Sequence, residues 1–263
     1  MNNTESFNEK LKQKNQILTA TLTDPISSKE IKFNVVNQPT LWRAQTLFTK
    51  EPITIKWIRS FEKKSIFFDI GANVGVYSIF SALINSCKVF SFEPESNNYQ
   101  VLMQNIIANN LINKVNAFQI GISNKTEFTK LHLSNFIAGQ SHHTVGNSAL
   151  DHTNLKPVES NIKQGIFSTT LDAICSQWGF PNPTYIKIDV DGIEHKIIQE
   201  SKKTLLSDTL KSVLIEINEN RNEDNEIIKT LKKLGFKYDK EQVESARRKS
   251  GQHIGYAEYL FYK

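Results

Sequence analysis

Three stretches of this 263-residue sequence carry side chains of the kind that bind or transform a small molecule. The first is Gly71-Ala72-Asn73-Val74-Gly75, which follows Asp69 at the end of the apolar run Ile66-Phe67-Phe68. Glycines at a strand-to-helix turn let a ligand approach the backbone N–H groups of a helix N-terminus. The second is Glu93, closing the run Val89-Phe90-Ser91-Phe92. It stands roughly 20 residues beyond the glycines, the spacing at which a carboxylate accepts both hydroxyls of a bound ribose. The third is Lys187-Ile188-Asp189-Val190-Asp191-Gly192-Ile193-Glu194. In an extended strand Lys187 and Asp189 share a face, and a charged pair on a central strand requires a ligand or each other. Asp191 and Glu194 have the D-x-x-E spacing of an N-cap and its third-position partner, so they are expected to hold a helix start. Glu216 ends a further apolar run, Val213-Leu214-Ile215, at the same expected sheet edge.

The glycine spacing discriminates between cofactors. A dinucleotide site uses G-x-G-x-x-G, whose middle glycine clears room for a pyrophosphate. Here Asn73 stands nearest that place; its side chain tolerates the turn but would crowd a diphosphate. A nucleoside ligand without phosphate, such as S-adenosylmethionine, suits the spacing better.

These residues need a frame of alternating strands and helices to bring them together. Val76, Ile79, Phe80 and Leu83 form one helical face after the glycine turn, and Ser96 is a plausible cap for a helix reaching Asn110. Val115 to Ile120 reads as a third strand, leading into Gly121-Ile122-Ser123. Glu127 to Leu133 alternates as an added strand. Thr170-Leu171-Asp172 lies in a short helix opening at Ser168. Val213 to Ile217 is a fifth strand, the helix from Glu223 stops before Gly235, and two late strands close the chain at Phe236 and Ala257. The resulting expectation is an α/β doubly wound sheet.

Residues 1 to about 30 are polar and read as a loosely ordered leader, with Phe7, Leu11, Ile17 and Leu18 giving only a faint helical stripe. Pro52 fits the first turn of a helix before the central strand. Trp42 and Arg43 could line a substrate mouth, although a packing tryptophan and a surface arginine is the plainer reading. Ser134 to Gly165 is irregular and reads as a lid. Its His142, His143 and His152 match no metal spacing. Arg247-Arg248-Lys249 reads as a solvated loop, too small for a nucleic-acid footprint.

The composition is that of an ordinary soluble protein, with 39% apolar and 22% charged residues. The excess of 32 Lys+Arg over 27 Asp+Glu permits an acidic substrate without demanding one. Two cysteines without metal spacing, a polar start and no apolar run of ~18 residues lead to the expectation of a cytoplasmic protein with no membrane span.

Taken jointly, Phe68-Asp-Ile-Gly-Ala-Asn-Val-Gly75, Phe92-Glu-Pro94, Thr170-Leu-Asp172 and Lys187-Ile-Asp-Val-Asp-Gly-Ile-Glu194 resemble the FkbM-type methyltransferases. The resemblance extends to Glu51-Pro52 and Glu216, spanning about residues 40–238. Asp191 stands where that family usually has Glu, and Gly121 where Ala is common. The resemblance implies a class I methyltransferase (Rossmann-like) fold over residues 65–263, with seven strands of which the last is antiparallel, and an extension of residues 1–64. It implies S-adenosylmethionine as methyl donor, with Gly71, Asn73, Gly75 and Glu93 holding it. Asp69 and Ile122 complete the candidate donor set. The implied reaction is methylation of a hydroxyl on a sugar, glycan or small metabolite. No metal is expected, because Asp189 and Asp191 divide between a site acid and a helix cap. Asp189, Lys187 and Glu216 are the catalytic candidates. Two alternatives remain open here: a metal-dependent glycosyltransferase using Asp189-Val-Asp191 as a D-x-D, and a non-catalytic methyltransferase-like partner protein.

Overall fold

Leu18–Thr23 (β1) alternates apolar residues with threonine, and it pairs antiparallel with Glu30–Val35 (β2) instead of belonging to a loose leader. The period of two in Leu18-Thr-Ala-Thr-Leu-Thr is a strand pattern that the surrounding Asn and Lys residues obscure. The structure, a computed structural model, describes residues 18–151, 154–251 and 254–263. The faint helical stripe at Phe7, Leu11 and Ile17, and His152, lie outside the described residues.

Gln38–Gln45 (α1) starts at a reciprocal capping box between Asn37 and Thr40. Pro52–Arg59 (α2) has Pro52 in its first turn, as expected. Then follow Ile66–Ile70 (β3), Val76–Ile84 (α3), Lys88–Phe92 (β4), Ser96–Ala108 (α4) and Val115–Phe118 (β5). The cap of α4 is Glu95 rather than Ser96, its carboxylate accepting the N–H groups of Asn97 and Asn98. The chain next makes Gly121–Ile122 (β6), Glu127–Leu133 (β7), Thr144–Val145 (β8), Ala149–Leu150 (β9), Pro157–Val158 (β10) and Ile162–Thr169 (β11). It closes with Leu171–Gln177 (α5), Tyr185–Ile188 (β12), Glu194–Gln199 (α6), Lys202–Leu206 (α7), Ser212–Asn218 (β13), Asn222–Lys233 (α8), Lys237–Tyr238 (β14), Lys240–Ala246 (α9) and Tyr256–Tyr262 (β15).

Seven strands form the central sheet in the order β14-β15-β13-β12-β3-β4-β5. β13, β12, β3, β4 and β5 run parallel, while β15 runs antiparallel to both β13 and β14. Chain order runs outward from β3 in one direction and from β12 in the other. The carboxyl ends of these two strands are therefore a topological switch point, where open α/β sheets place their ligands. Apolar layers cover both faces. One buried cluster runs unbroken from Ile31 and Phe33 through Leu47, Trp57 and Phe61 to Phe67 and Phe80.

β6, β11, β7 and β8 make a second, four-stranded sheet. β11 replaces the irregular stretch and early helix start expected up to Ser168. It pairs with β7 from Ile162 to Ser168, and Thr170 is the cap that starts α5. Lys163, Gln164 and Gly165 blur its alternation, so only its partner strand reveals it. Among the described residues no helix is long and apolar enough to cross a membrane.

Candidate functional site

A cavity of about 390 Å³ opens at the switch point, within the ~300–1,000 Å³ range of small-molecule sites. Of the expected site residues, Gly71, Asn73, Glu93, Ile122, Asp189 and Glu216 line it. Gly71 closes β3 with φ +79°, and a Cβ there would lie 1.9 Å from the Asp189 carbonyl oxygen. The contact joins the first and third stretches: only glycine lets the turn pass under the end of β12. Asn73, at φ +52°, donates its N–H to the Glu93 carboxylate at 2.8 Å and its Nδ2 to the Gln140 carbonyl at 2.7 Å. Glu93 also accepts the N–H of Glu95 at 2.8 Å. Burial pushes its carboxyl up to about 7 despite these bonds.

Two members of the expected donor set stand elsewhere. Asp69 is buried behind the cavity, where its carboxylate accepts the Ser78 hydroxyl, itself 2.7 Å from the Ser91 hydroxyl. On a strand, Asp69 faces opposite to Ile70, and it is Ile70 that meets the cavity. Gly75 caps α3 at φ +82°, and a Cβ there would lie 2.2 Å from Leu102 Cδ1. Both residues therefore shape the turn without lining the cavity.

Lys187 and Asp189 share a face and pair, Nζ to Oδ2 at 2.7 Å. Lys187 is itself buried, 3.8 Å from Glu51 Oε2 and over the Tyr77 ring. Burial disfavours its charge, but Asp189, Glu51 and Asp69 outweigh that and hold its pKa well above the usual range. Asp189 faces the mirror situation: burial disfavours the carboxylate, and Lys187 overcomes it, lowering the pKa. The Glu51 carboxyl, at the start of α2, lies well below the usual range, because Lys50 and Lys187 outweigh its burial.

Glu216 lies beside this pair and bonds Arg248. Arg248 also lines the cavity, so it is not the solvated residue expected of its basic run. Its signal in sequence was absent: a loop arginine acquires a partner only through the register of β13. Burial, then the Asp189 charge, pushes Glu216 up to about 7. Across the ladder Glu258 pairs in register with Glu216 and is pushed by burial up to about 8.

Asp191 is not a helix cap. It sits at φ +59°, lines the cavity, and accepts the His142 N–H at 2.7 Å. Glu194, the first residue of α6, does not cap it either: its carboxyl accepts the N–H groups of Gly192 and Val190 in the turn before the helix, whose N-cap Ile193 makes no side-chain cap bond. The glycine at position 192 turns the backbone before the helix begins, which breaks the capping-box spacing. The carboxylates of Asp189 and Asp191 thus engage different partners. Among the described residues no group of three or more His, Cys, Asp or Glu side chains is placed to hold a metal ion.

Trp42 and Arg43, on α1, both reach the cavity, against the packing role adopted for them from sequence. Arg43 Nε donates to the Gly139 carbonyl. The same segment receives Asn37 Nδ2 at the Ala138 carbonyl (2.9 Å), while Asn98 Oδ1 accepts the Gly139 N–H (2.7 Å). Ser141, His142 and His143 follow as cavity wall. The histidine-bearing loop therefore reaches the site, although its sequence carries no regular pattern.

A parallel sheet with one antiparallel closing strand, carrying a glycine turn and a strand-end carboxylate at its switch point, defines the class I methyltransferase type of α/β fold. A family model described as the methyltransferase FkbM domain matches residues 69–238, and the chain belongs to that family. A structure of methyltransferase FkbM from Methylobacillus flagellatus KT superposes with a TM-score of 0.51 at 13% identity, covering 87% of this chain and 51% of that one. The chain thus spans about half the length of that protein. Weaker similarity is found to a putative rRNA methylase from Clostridium thermocellum (TM-score 0.47, 12% identity, 81% and 94% coverage). A putative tRNA (m1A22) methyltransferase from Streptococcus pneumoniae, solved in complex with S-adenosyl-L-methionine, gives 0.45 at 13% identity, with 79% and 71% coverage. No curated protein sequence matches significantly.

Proposed function

We propose that this chain transfers the methyl group of S-adenosylmethionine to a hydroxyl oxygen of a sugar, glycan or small metabolite in the switch-point cavity. The observation that carries this reading is Glu93. One of its oxygens takes the Asn73 N–H and the other the Glu95 N–H, so each retains a lone pair for a ribose hydroxyl. Ile70, Phe92, Ile122 and Val190 offer apolar wall beside it for a purine. The turn Gly71–Gly75 contains no cationic side chain to offset a diphosphate. In this reading residues 1–64 are an extension that adds Trp42, Arg43 and Lys50 to the cavity of a transfer domain formed by residues 65–263, and Ser134 to Gly165 acts as its lid.

The donor's sulfonium supplies an electrophilic methyl group. The protein's own task is to align the acceptor hydroxyl and to take its proton. Asp189, kept ionised by Lys187 and open to the cavity, is the base in this proposal. Lys187 acts through Asp189. Glu216 is a second candidate, because a group at about 7 is better matched to neutral pH. Its bond to Arg248 makes it the less available of the two.

Glu93→Ala removes up to two charge-assisted bonds of ~1.5–3 kcal/mol each and should weaken donor binding by about ten- to a hundredfold or more. Calorimetry with S-adenosylmethionine on the folded variant checks this, and unchanged affinity would remove Glu93 from the site. Transfer of labelled methyl groups to a panel of sugars and small hydroxylated metabolites separates an enzyme from a non-catalytic relative.

A further inference from the structure

Arg43 and Asp191 are oppositely charged residues lining one cavity, yet they do not pair with each other. Burial and the Asp189 charge push the Asp191 carboxyl up to about 6, while the Arg43 charge opposes them and favours the carboxylate. Among the described residues neither makes an ion pair. Arg43 is fixed through Nε alone, on the Gly139 carbonyl, which leaves the two-nitrogen fork of its guanidinium without a protein partner. Asp191 is fixed by the His142 N–H on Oδ2, which leaves Oδ1 without one. Both residues are therefore held in place by the same short segment of chain, residues 139–142, with charged atoms to spare. An arginine and an aspartate that line one cavity with charged atoms unpaired are each open to a ligand of opposite charge.

A molecule that completes both must carry an anion and a cation a few bonds apart. An amino-acid head has that pattern: a planar carboxylate that matches an arginine fork, and an ammonium that matches a carboxylate. We infer that Arg43 and Asp191 together hold the amino-acid head of the methyl donor, Arg43 its carboxylate and Asp191 its ammonium. The assignment rests on the proposed use of S-adenosylmethionine. It adds α1 and the loop at residues 139–142 to the donor site, beyond the glycine turn and Glu93. It also gives a reason for the positive φ of Asp191, which turns its carboxylate away from α6 and towards the cavity.

The test compares two nucleosides that differ in this head. S-adenosylhomocysteine carries it, and 5′-methylthioadenosine lacks it. Calorimetry on the wild-type chain should show S-adenosylhomocysteine binding at least about tenfold tighter. Arg43→Gln and Asp191→Asn should each weaken S-adenosylhomocysteine by about tenfold or more while methylthioadenosine stays within about twofold. Arg43→Lys, which keeps the charge and loses the fork, should fall between wild type and Arg43→Gln. Methylthioadenosine binding on the same variants verifies that the remainder of the site is intact. Equal affinity of the wild type for both nucleosides overturns the inference. So does equal weakening of both ligands by Arg43→Gln, or no weakening of either. If the wild type binds neither nucleoside, the donor reading itself fails and takes the inference with it. An acceptor-binding role for Arg43 would instead leave S-adenosylhomocysteine affinity unchanged in Arg43→Gln.

Discussion

Lys187 is the residue on which the charges of the site depend. Its ammonium stands among Glu51, Asp69 and Asp189, and removal of any one acid leaves it other partners. That redundancy makes Asp189 open to a clean experiment. Asp189→Asn keeps the shape and removes the proposed base, so turnover should fall by about 10²–10⁴. Donor affinity should stay within a few-fold, and the melting temperature should drop only modestly, because Lys187 keeps Glu51 at 3.8 Å. Steady-state kinetics, calorimetry and a thermal melt on the one variant read these three quantities. Turnover that survives intact moves the base to Glu216. A stability collapse would instead mark Lys187–Asp189 as a structural pair.

At the scale of elements, the site is a junction between two strand ends. β3 ends in a glycine turn, and β12 ends in a carbonyl that this turn must clear. Gly71→Ala brings a Cβ to 1.9 Å from the Asp189 carbonyl and imposes a side chain at φ +79°. The backbone cannot yield on either side, since both strands are central in the sheet. The variant should lose at least about 2 kcal/mol of stability in a denaturant titration. It should also lose donor binding, because Asp189 and Asn73 shift together. Near-wild-type stability would show that the two strand ends separate more readily than this packing allows.

For the whole molecule, the number of buried acids sets the pH response. Burial pushes the Glu93 and Glu216 carboxyls up to about 7 and those of Glu194 and Glu258 up to about 8. Each is raised above an unfolded value of ~4.3. The stability they contribute is therefore fully present below ~4.3 and is lost as pH rises through about 7 to 8. Glu51 and Asp189 are lowered and behave oppositely, losing their contribution as pH falls below ~4. His143, which burial holds down at about 4, adds stability as pH climbs towards its unfolded value of ~6.5. The melting temperature is thus expected to peak at weakly acidic pH and to fall towards about pH 9. Glu194→Gln replaces a proton-holding carboxyl with a neutral group of the same shape and should flatten part of that fall. Scanning calorimetry across pH at constant ionic strength reads it; a melting temperature that rises from neutral to alkaline pH contradicts the buried-acid account.

The sequence by itself determined the parts of the fold governed by local pattern. The apolar runs of β3, β4, β12 and β13, the glycine turn, the proline start of α2 and the acids at strand ends are all short-range features. Their order along the chain specifies a doubly wound sheet, and strand alternation places Lys187 beside Asp189. Tertiary structure decided what depends on partners distant in sequence. β1 and β11 became visible only when paired, because their polar residues mask alternation until a neighbouring strand absorbs their backbone groups. Asp191 left its cap position because Gly192 turned the chain and the His142 N–H stood within reach. Trp42 and Arg43 read from sequence more plainly as packing and surface residues than as a substrate mouth, and Arg248 reads as solvated. They belong to the site because α1, residues 139–143 and the loop before β15 converge over the switch point, and convergence is a property of packing that no spacing along the chain encodes.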